Sequence, residues 1–381
     1  MNSPDTDAGC TALRSYDSDG MKKSAGLGFF RNHLANRVFR SVKRPTYAYI
    51  AITSLCNSRC TYCDTWKNRT ESGPDTDQWK KIIDDLVSIG VVTLTLSGGE
   101  PFLHKDLFEL ASYAQSQGLV TMVVTNLSLF KESHIEQIAE SVDFFGISID
   151  STHPEIYKAV RGVDWLERIK ENVRTLMAGL AEVKADVQVC GMVTITNKNA
   201  CELHDVIHMI FDDLGMDTVS FNVLDPNGGA TARELAPTSD QIDHCKKVIS
   251  AHKSLYPISN SARFIAQMGE FEYRCNPWKS VQIDERGWLL SPCLFSSARP
   301  ALFPGARETD LCRTNLRDAW REDQTIYSRY AGCKLCSLGC VAESAWSTYD
   351  LKFVLTDSFF GSIYPTMKRI GERNGGRRQS Q

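Results

Sequence analysis

The 381-residue chain carries 43 Lys and Arg against 46 Asp and Glu, a net charge of −3, and is 42% hydrophobic and 23% charged. Those proportions belong to a globular protein with a sizeable core and exclude a fibrous or wholly disordered chain. The balanced charge offers no general basic field for a nucleic-acid partner, and no apolar run reaches the ~20 residues that span a bilayer. Asp5, Asp7, Asp17 and Asp19 stand where a secretory signal is basic and then apolar, so the reading is a cytoplasmic protein without a nucleic-acid partner.

Residues 1–25 are rich in Ser, Asp, Thr and Gly and read as a disordered start. Over 29–44, Phe30, Leu34, Val38 and Val42 recur every four residues among Arg31, Arg37, Arg40, Lys43 and Arg44. That spacing predicts a basic amphipathic helix packed beneath the following domain, with membrane-surface contact as the secondary reading. From Tyr47 the pattern alternates: strands are expected at 47–53, 92–96, 120–125, 144–149, 187–195 and 218–224. Helical patterns fall at 78–89, 105–117, 131–139, 166–180, 200–214 and 239–252. Short β-branched strands separated by helices predict an α/β fold, a partial (β/α)6 barrel of parallel strands whose site residues lie at the strands' C-terminal ends.

After Tyr256 the alternation stops. Residues 280–283 and 288–290, around Asp284, Glu285, Arg286 and Gly287, read as a hairpin with a glycine turn, followed by a loop-rich, cysteine-rich stretch. So little apolar periodicity calls for a metal staple. The expected organisation is therefore a tail and helix over 1–45, the barrel over 46–255, a small C-terminal metal-stapled domain over 256–350, which the resemblance below makes an iron–sulfur domain, and a tail over 351–381.

The chain has 13 cysteines, and in a reducing compartment clustered thiols bind metal or do redox chemistry. Cys56, Cys60 and Cys63 follow the first strand with no fourth cysteine nearby. Three thiolates suit a [4Fe–4S] cluster whose fourth iron stays open to another ligand; a zinc loop, the alternative, wants four ligands or a histidine. Cys275, Cys293, Cys333, Cys336 and Cys340 form a second set. After the second strand, Ser97-Gly98-Gly99-Glu100-Pro101 lets a small ligand approach the backbone closely. The chain lacks both the P-loop and the dinucleotide-binding glycine fingerprints. Cys190 and Cys201 read as small buried residues, Cys312 as a residue without a role, with metal ligand or hydrogen-atom donor as the alternatives, and Cys10 and Cys245 carry no pattern.

The C-x3-C-x2-C triplet after a first barrel strand resembles that of the radical S-adenosylmethionine enzymes, over about residues 47–224 and more weakly to Cys340. The resemblance implies that S-adenosylmethionine chelates the open iron and is cleaved to a 5′-deoxyadenosyl radical. It also implies that Tyr62 lies against the adenine and that Gly98, Gly99 and Glu100 form the motif at the methionine amino group. Asn126, Ser148 and Asp150 then touch the ribose or carboxylate of the cofactor, with helix N-capping as the alternative. Arg161 pairs with the methionine carboxylate or else makes a surface salt bridge.

The second cysteine set resembles SPASM and twitch auxiliary domains, nearer the twitch form. That implies one auxiliary [4Fe–4S] cluster on Cys275, Cys293, Cys333 and Cys336, with Cys340 an alternative ligand and structural zinc the rival metal. The implied activity is hydrogen abstraction from an unactivated C–H bond of a small-molecule or peptide substrate. A net oxidation or bond formation follows, with flavodoxin or ferredoxin as electron donor. Modification of a ribosomal peptide is the alternative; against it, only about 45 residues precede the first strand, few for a leader-recognition domain. A noncatalytic metal-binding scaffold is the reading from another class.

Overall fold

A computed structural model describes residues 32, 43–68, 70, 73–226, 230–270, 275–293 and 300–333. The tail at 1–25, the helix expected at 29–44 apart from Asn32 and the first basic residues after 42, Cys10, Cys336, Cys340 and residues 341–381 lie outside them. Asn32 itself is buried, its amide donating to the carbonyls of Pro45 and Gly90 beside the start of the first two strands.

The chain alternates as the sequence predicts: β1 (Tyr47–Thr53), α1 (Thr76–Ile89), β2 (Thr93–Gly98), α2 (Leu107–Ser116), β3 (Val120–Thr125), α3 (Ile135–Ser141) and β4 (Phe144–Ser148). Then come α4 (Pro154–Arg161), α5 (Leu166–Glu182), β5 (Gln188–Ile195), α6 (Leu203–His208), β6 (Thr218–Val223), α7 (Ala230–Leu235), α8 (Ser239–Lys253) and α9 (Ala262–Ala266). Local chemistry sets the boundaries. Asp75 caps α1 in a reciprocal capping box with Gln78, and Gly90, at φ 105°, ends it in the left-handed conformation.

Six parallel strands run β6-β5-β4-β3-β2-β1, each joined to the next by a helical crossover. Among the described residues burial alternates along β1, β2 and β3, which separates a covered face from a half-buried one. A side chain at Gly191 in β5 meets Ile210 from the helical layer, whereas one at Gly146 in β4 meets Met122, Val124 and Met192, so those residues line the inner face of the partial barrel. The helical side carries the core, with Leu86, Leu94, Leu110, Val123, Phe145, Ile147 and Phe221 all excluded from solvent. Each such side chain contributes about 1.5–3 kcal/mol on burial.

The C-terminal segment extends the same sheet. β7 (Ser280–Ile283) pairs in parallel with β1, and β8 (Trp288–Ser291) and β9 (Arg307–Asp310) follow antiparallel, so the sheet has nine strands and β1 is interior. Two helices, α10 (Leu316–Glu322) and α11 (Gln324–Arg329), pack beneath, burying Trp320 and Tyr327. The hairpin thus falls where the sequence places it, but it is attached to the barrel edge by strand pairing.

Two local expectations need correction. The helix expected at 200–214 is three pieces, a 3-10 turn at Ala200–Glu202, α6, and a π turn at Met209–Asp213. Cys201 is exposed rather than buried, because that 3-10 turn rotates it outward, while Cys190 is buried in β5. Among the described residues no helix is long and apolar enough to cross a membrane.

Candidate functional site: a cysteine loop over the barrel mouth

The cysteine triplet leaves β1 at its C-terminal end and is held from three sides. Asn57, within the triplet, donates to the Ser128 hydroxyl and accepts from the Asn126 amide (2.8 and 2.9 Å), tying the loop to the end of β3. The α4 helix supplies the second support. Its last carbonyls, which have no intrahelical partner, accept from the loop: Arg161 O from Arg59 N–H (3.2 Å), Val160 O from Thr61 N–H (3.0 Å). Gly162, at φ 68°, ends that helix against the loop, where a Cβ meets the Arg59 carbonyl at 2.2 Å.

The third support is the Gly98-Gly99-Glu100 turn. Gly99 N–H and Glu100 N–H donate to Thr53 O and Leu55 O, both at 2.7 Å. The backbones are so close that a Cβ on Gly99 stands 2.1 Å from the Leu55 carbonyl. This close approach is why only glycine serves there. Glu100 is wholly buried, and its carboxylate accepts from the Thr125 hydroxyl (2.5 Å), Asn126 N–H (2.8 Å) and Phe102 N–H (3.2 Å). Both of its oxygens are therefore engaged within the protein, and burial raises its pKa despite those bonds.

Beneath the triplet lies a buried ion pair. Arg161 Nε is 2.6 Å from Asp150 Oδ2, at 8% and 0% side-chain exposure, and Asp150 Oδ1 accepts from Thr194 N–H at 2.7 Å. Arg161 is thus no surface salt bridge. Its Nη1 reaches Cys60 Sγ at 3.7 Å, and its guanidinium stands 5.9 Å from the Tyr62 ring. Asp150 is consumed by Arg161 and Thr194 and acts on the site through them. The Tyr62 hydroxyl donates to Thr194 Oγ1 at 3.4 Å, which turns the ring over the inner face of the barrel. Ser148, half-buried at the end of β4, is in register with Met192 on that same inner face.

The arrangement fits a [4Fe–4S] cluster with S-adenosylmethionine at its open iron. Three soft donors sit on one loop beside a fixed cation, which suits an anionic thiolate–iron group. The Ser58 hydroxyl is buried among them with no hydrogen-bond partner. A single-ion site looks different here: among the described residues the groups whose ligand atoms converge on one point are His204, His208 and His252, and the triplet is not such a group. Burial pushes the Cys56 thiol up to about 11, and raises Cys60 against the opposing pull of Arg161.

The second cysteine set gathers elsewhere. Gly332 N–H donates to Cys275 O at 2.8 Å, setting Cys333 beside Cys275. The Ser291 hydroxyl bonds Asp323 (2.6 Å) and Tyr327 (2.9 Å), drawing the end of β8, and Cys293 after it, toward the same helices. Cys275 precedes β7, whose Ser280 pairs with Tyr47, so by register this set lies toward the strands' N-terminal ends, away from the triplet. The seven residues of β1 span about 20 Å between those ends. Cys312 is separate, its sulfur 3.5 Å from a Cβ built at Gly287.

Sequence reasoning missed Asn57, Thr125, Thr194 and the α4 helix as parts of the site. For α4 a signal was present, Pro154 at its first turn and Gly162 at its end.

Comparison with known proteins agrees with this geometry. Residues 50–210 match the family model described as the radical SAM superfamily. The chain is 29% identical over 210 residues to the PqqA peptide cyclase of Bradyrhizobium diazoefficiens, covering 54% of each. It is 29% identical over 277 residues to the antilisterial bacteriocin subtilosin biosynthesis protein AlbA of Bacillus subtilis, covering 68% of this chain and 56% of that one. The chain thus spans about half the length of these two curated relatives. Its fold also matches the crystal structure of Streptococcus suis SuiB bound to S-adenosylmethionine, with a TM-score of 0.61 at 16% identity over 78% of this chain and 71% of that one. The matched segment holds the triplet, the Gly-Gly-Glu turn and the buried Arg161–Asp150 pair, and it is over this segment that the chain is similar to the radical SAM superfamily.

Proposed function

We propose that this protein is a radical S-adenosylmethionine enzyme whose Cys56, Cys60 and Cys63 hold a [4Fe–4S] cluster. The observation that carries the reading is the three-sided clamp on the cysteine loop by Asn126, α4 and the Gly98-Gly99 turn. When bound, the cluster and S-adenosylmethionine supply reductive cleavage of a carbon–sulfur bond and hydrogen abstraction from an unactivated C–H bond. The chain supplies position and exclusion of water. Gly98 and Gly99 let the turn close on the Thr53 and Leu55 carbonyls that lead into the cysteine loop, Arg161 is held by Asp150 beside Cys60, and Tyr62 is aimed over the inner face by Thr194. Met122, Val124 and Met192 give that face an apolar stretch beside Ser148 and Thr194, and none of the three carries an O–H or S–H bond from which a carbon radical readily takes a hydrogen atom.

Cys275, Cys293 and Cys333, with Cys336 or Cys340, hold an auxiliary [4Fe–4S] cluster in this reading. The register of β7 on β1 favours electron transfer or a structural role for it over anchoring a substrate shared with the triplet. A peptide substrate is the second reading, favoured by the similarity to the PqqA peptide cyclase and the subtilosin biosynthesis protein. Flavodoxin or ferredoxin is the proposed electron donor. The test is direct: anaerobic, reduced, cluster-loaded protein with S-adenosylmethionine releases 5′-deoxyadenosine. Silence from fully loaded protein under strong reductant defeats the proposal and favours a noncatalytic scaffold.

A further inference from the structure

We infer that His204, His208 and His252 form a binding site for a single zinc ion, on the outer helices and at the end of the barrel opposite the cysteine loop. One ring nitrogen from each lies within 4.8 Å of the others, and His204 Nδ1 is 3.0 Å from His252 Nε2. Two nitrogens bound to tetrahedral zinc at ~2.0–2.1 Å stand about 3.3–3.4 Å apart, so this pair needs to open by only a few tenths of an ångström.

The ring orientations are already those of a ligand set. His252 Nδ1 faces the Val248 carbonyl at 2.7 Å, a group that only accepts. That nitrogen therefore carries the hydrogen and leaves the Nε2 lone pair for the site. His208 Nδ1 faces Asp212 Oδ2 at 2.6 Å, which fixes its hydrogen the same way and frees its Nε2. Asp212 is in turn held by the Tyr256 hydroxyl at 3.1 Å, and Tyr256 stacks on Phe211 at 4.8 Å. A carboxylate behind one histidine and a backbone carbonyl behind another are the supports that orient metal-bound imidazoles and raise their basicity.

Two elements bring the ligands together. His204 and His208 are one helical turn apart on α6, and His252 is in the last turn of α8 packed against it. The π turn at Met209–Asp213 follows directly and carries Asp212, a backbone irregularity of the kind found at functional sites. Tyr256 adjoins Pro257, whose carbonyl accepts from Thr218 at the start of β6, which places the cluster at the strands' N-terminal end. Three neutral imidazoles and no thiolate suit a borderline ion, with a water in the fourth position. Held by residues of two outer helices, the ion acts as a staple between α6 and α8.

The test uses cluster-loaded protein, so that the cysteines are occupied. Wild-type and His252→Asn proteins are equilibrated with chelator-buffered zinc and desalted, and zinc and iron are counted together. The wild type is expected to hold about one more zinc per chain than the variant at equal iron, and zinc is expected to raise the melting temperature of the wild type alone. Asp212→Asn, which keeps all three ligands, is expected to weaken zinc binding about 10–100-fold. Equal zinc in wild type and His252→Asn, or no zinc in the wild type at micromolar free ion, overturns the assignment.

Discussion

Glu100 offers a test of how the barrel mouth is held. Its buried carboxylate is the common acceptor for Thr125, Asn126 and Phe102, and the Thr125 hydroxyl is already committed as an acceptor to Leu127 N–H at 2.9 Å. Glu100→Ala leaves three donors without an acceptor, each at a cost of about 1–3 kcal/mol, for a loss of about 3–5 kcal/mol once water partly replaces the carboxylate. Glu100→Gln separates shape from charge. With its oxygen in the Oε1 position it still serves Thr125 and Phe102, but its NH2 group then faces the Asn126 N–H, and the flipped amide faces Phe102 N–H instead. One donor is orphaned either way, at about 1–3 kcal/mol. Denaturant unfolding of cluster-loaded protein, with S-adenosylmethionine affinity measured in parallel, reads both effects. The expected order is wild type, then Gln, then Ala, with affinity falling in the same order because Asn126 transmits the loss to Asn57 in the triplet loop. Wild-type stability in Glu100→Ala refutes the reasoning.

Other residues give independent outcomes. Arg161→Ala strands the Asp150 charge in a dry site and is expected to cost about 3–5 kcal/mol, seen as a lowered unfolding midpoint; an unchanged midpoint contradicts the buried pair. Gly99→Ala drives a Cβ into the Leu55 carbonyl and is expected to abolish 5′-deoxyadenosine release while circular dichroism stays near wild type; full activity contradicts the close approach. Lys279, 8% exposed, has its pKa pushed down by burial to about 7, from 10.5 when unfolded. Between those values the unfolded chain binds the extra proton, so this group makes stability rise with pH across that window, by at most about 1.4 kcal/mol per unit. Lys279→Met is expected to flatten the stability difference over that range, and parallel pH profiles for the two proteins contradict it.

The parts of this fold written in local pattern were legible. Runs such as Tyr47–Thr53 and Val120–Thr125 announce buried parallel strands, and the triplet and Gly-Gly-Glu motifs announce themselves by spacing at strand ends. What local pattern lacks is pairing between distant segments. Nothing near Ser280 says that it pairs with Tyr47, more than 200 residues earlier, so the attachment of the hairpin to the barrel was invisible. The same holds for Asp150 and Arg161, whose pairing with each other no local pattern announces. His204 and His208 share a helix face, but His252 comes from another helix, and three scattered histidines have no signature until α6 and α8 pack. The π turn and the outward rotation of Cys201 arise from backbone geometry that side-chain periodicity does not encode.

The central claim, that Cys56, Cys60 and Cys63 hold the catalytic cluster independently of the second cysteine set, is tested most directly by counting iron in anaerobically prepared wild type and in the Cys56→Ala/Cys60→Ala/Cys63→Ala protein. The account predicts about eight irons per chain in the wild type and about four in the variant, with 5′-deoxyadenosine released by the first alone. An unchanged iron count, or continued release of 5′-deoxyadenosine by the triple variant, contradicts it.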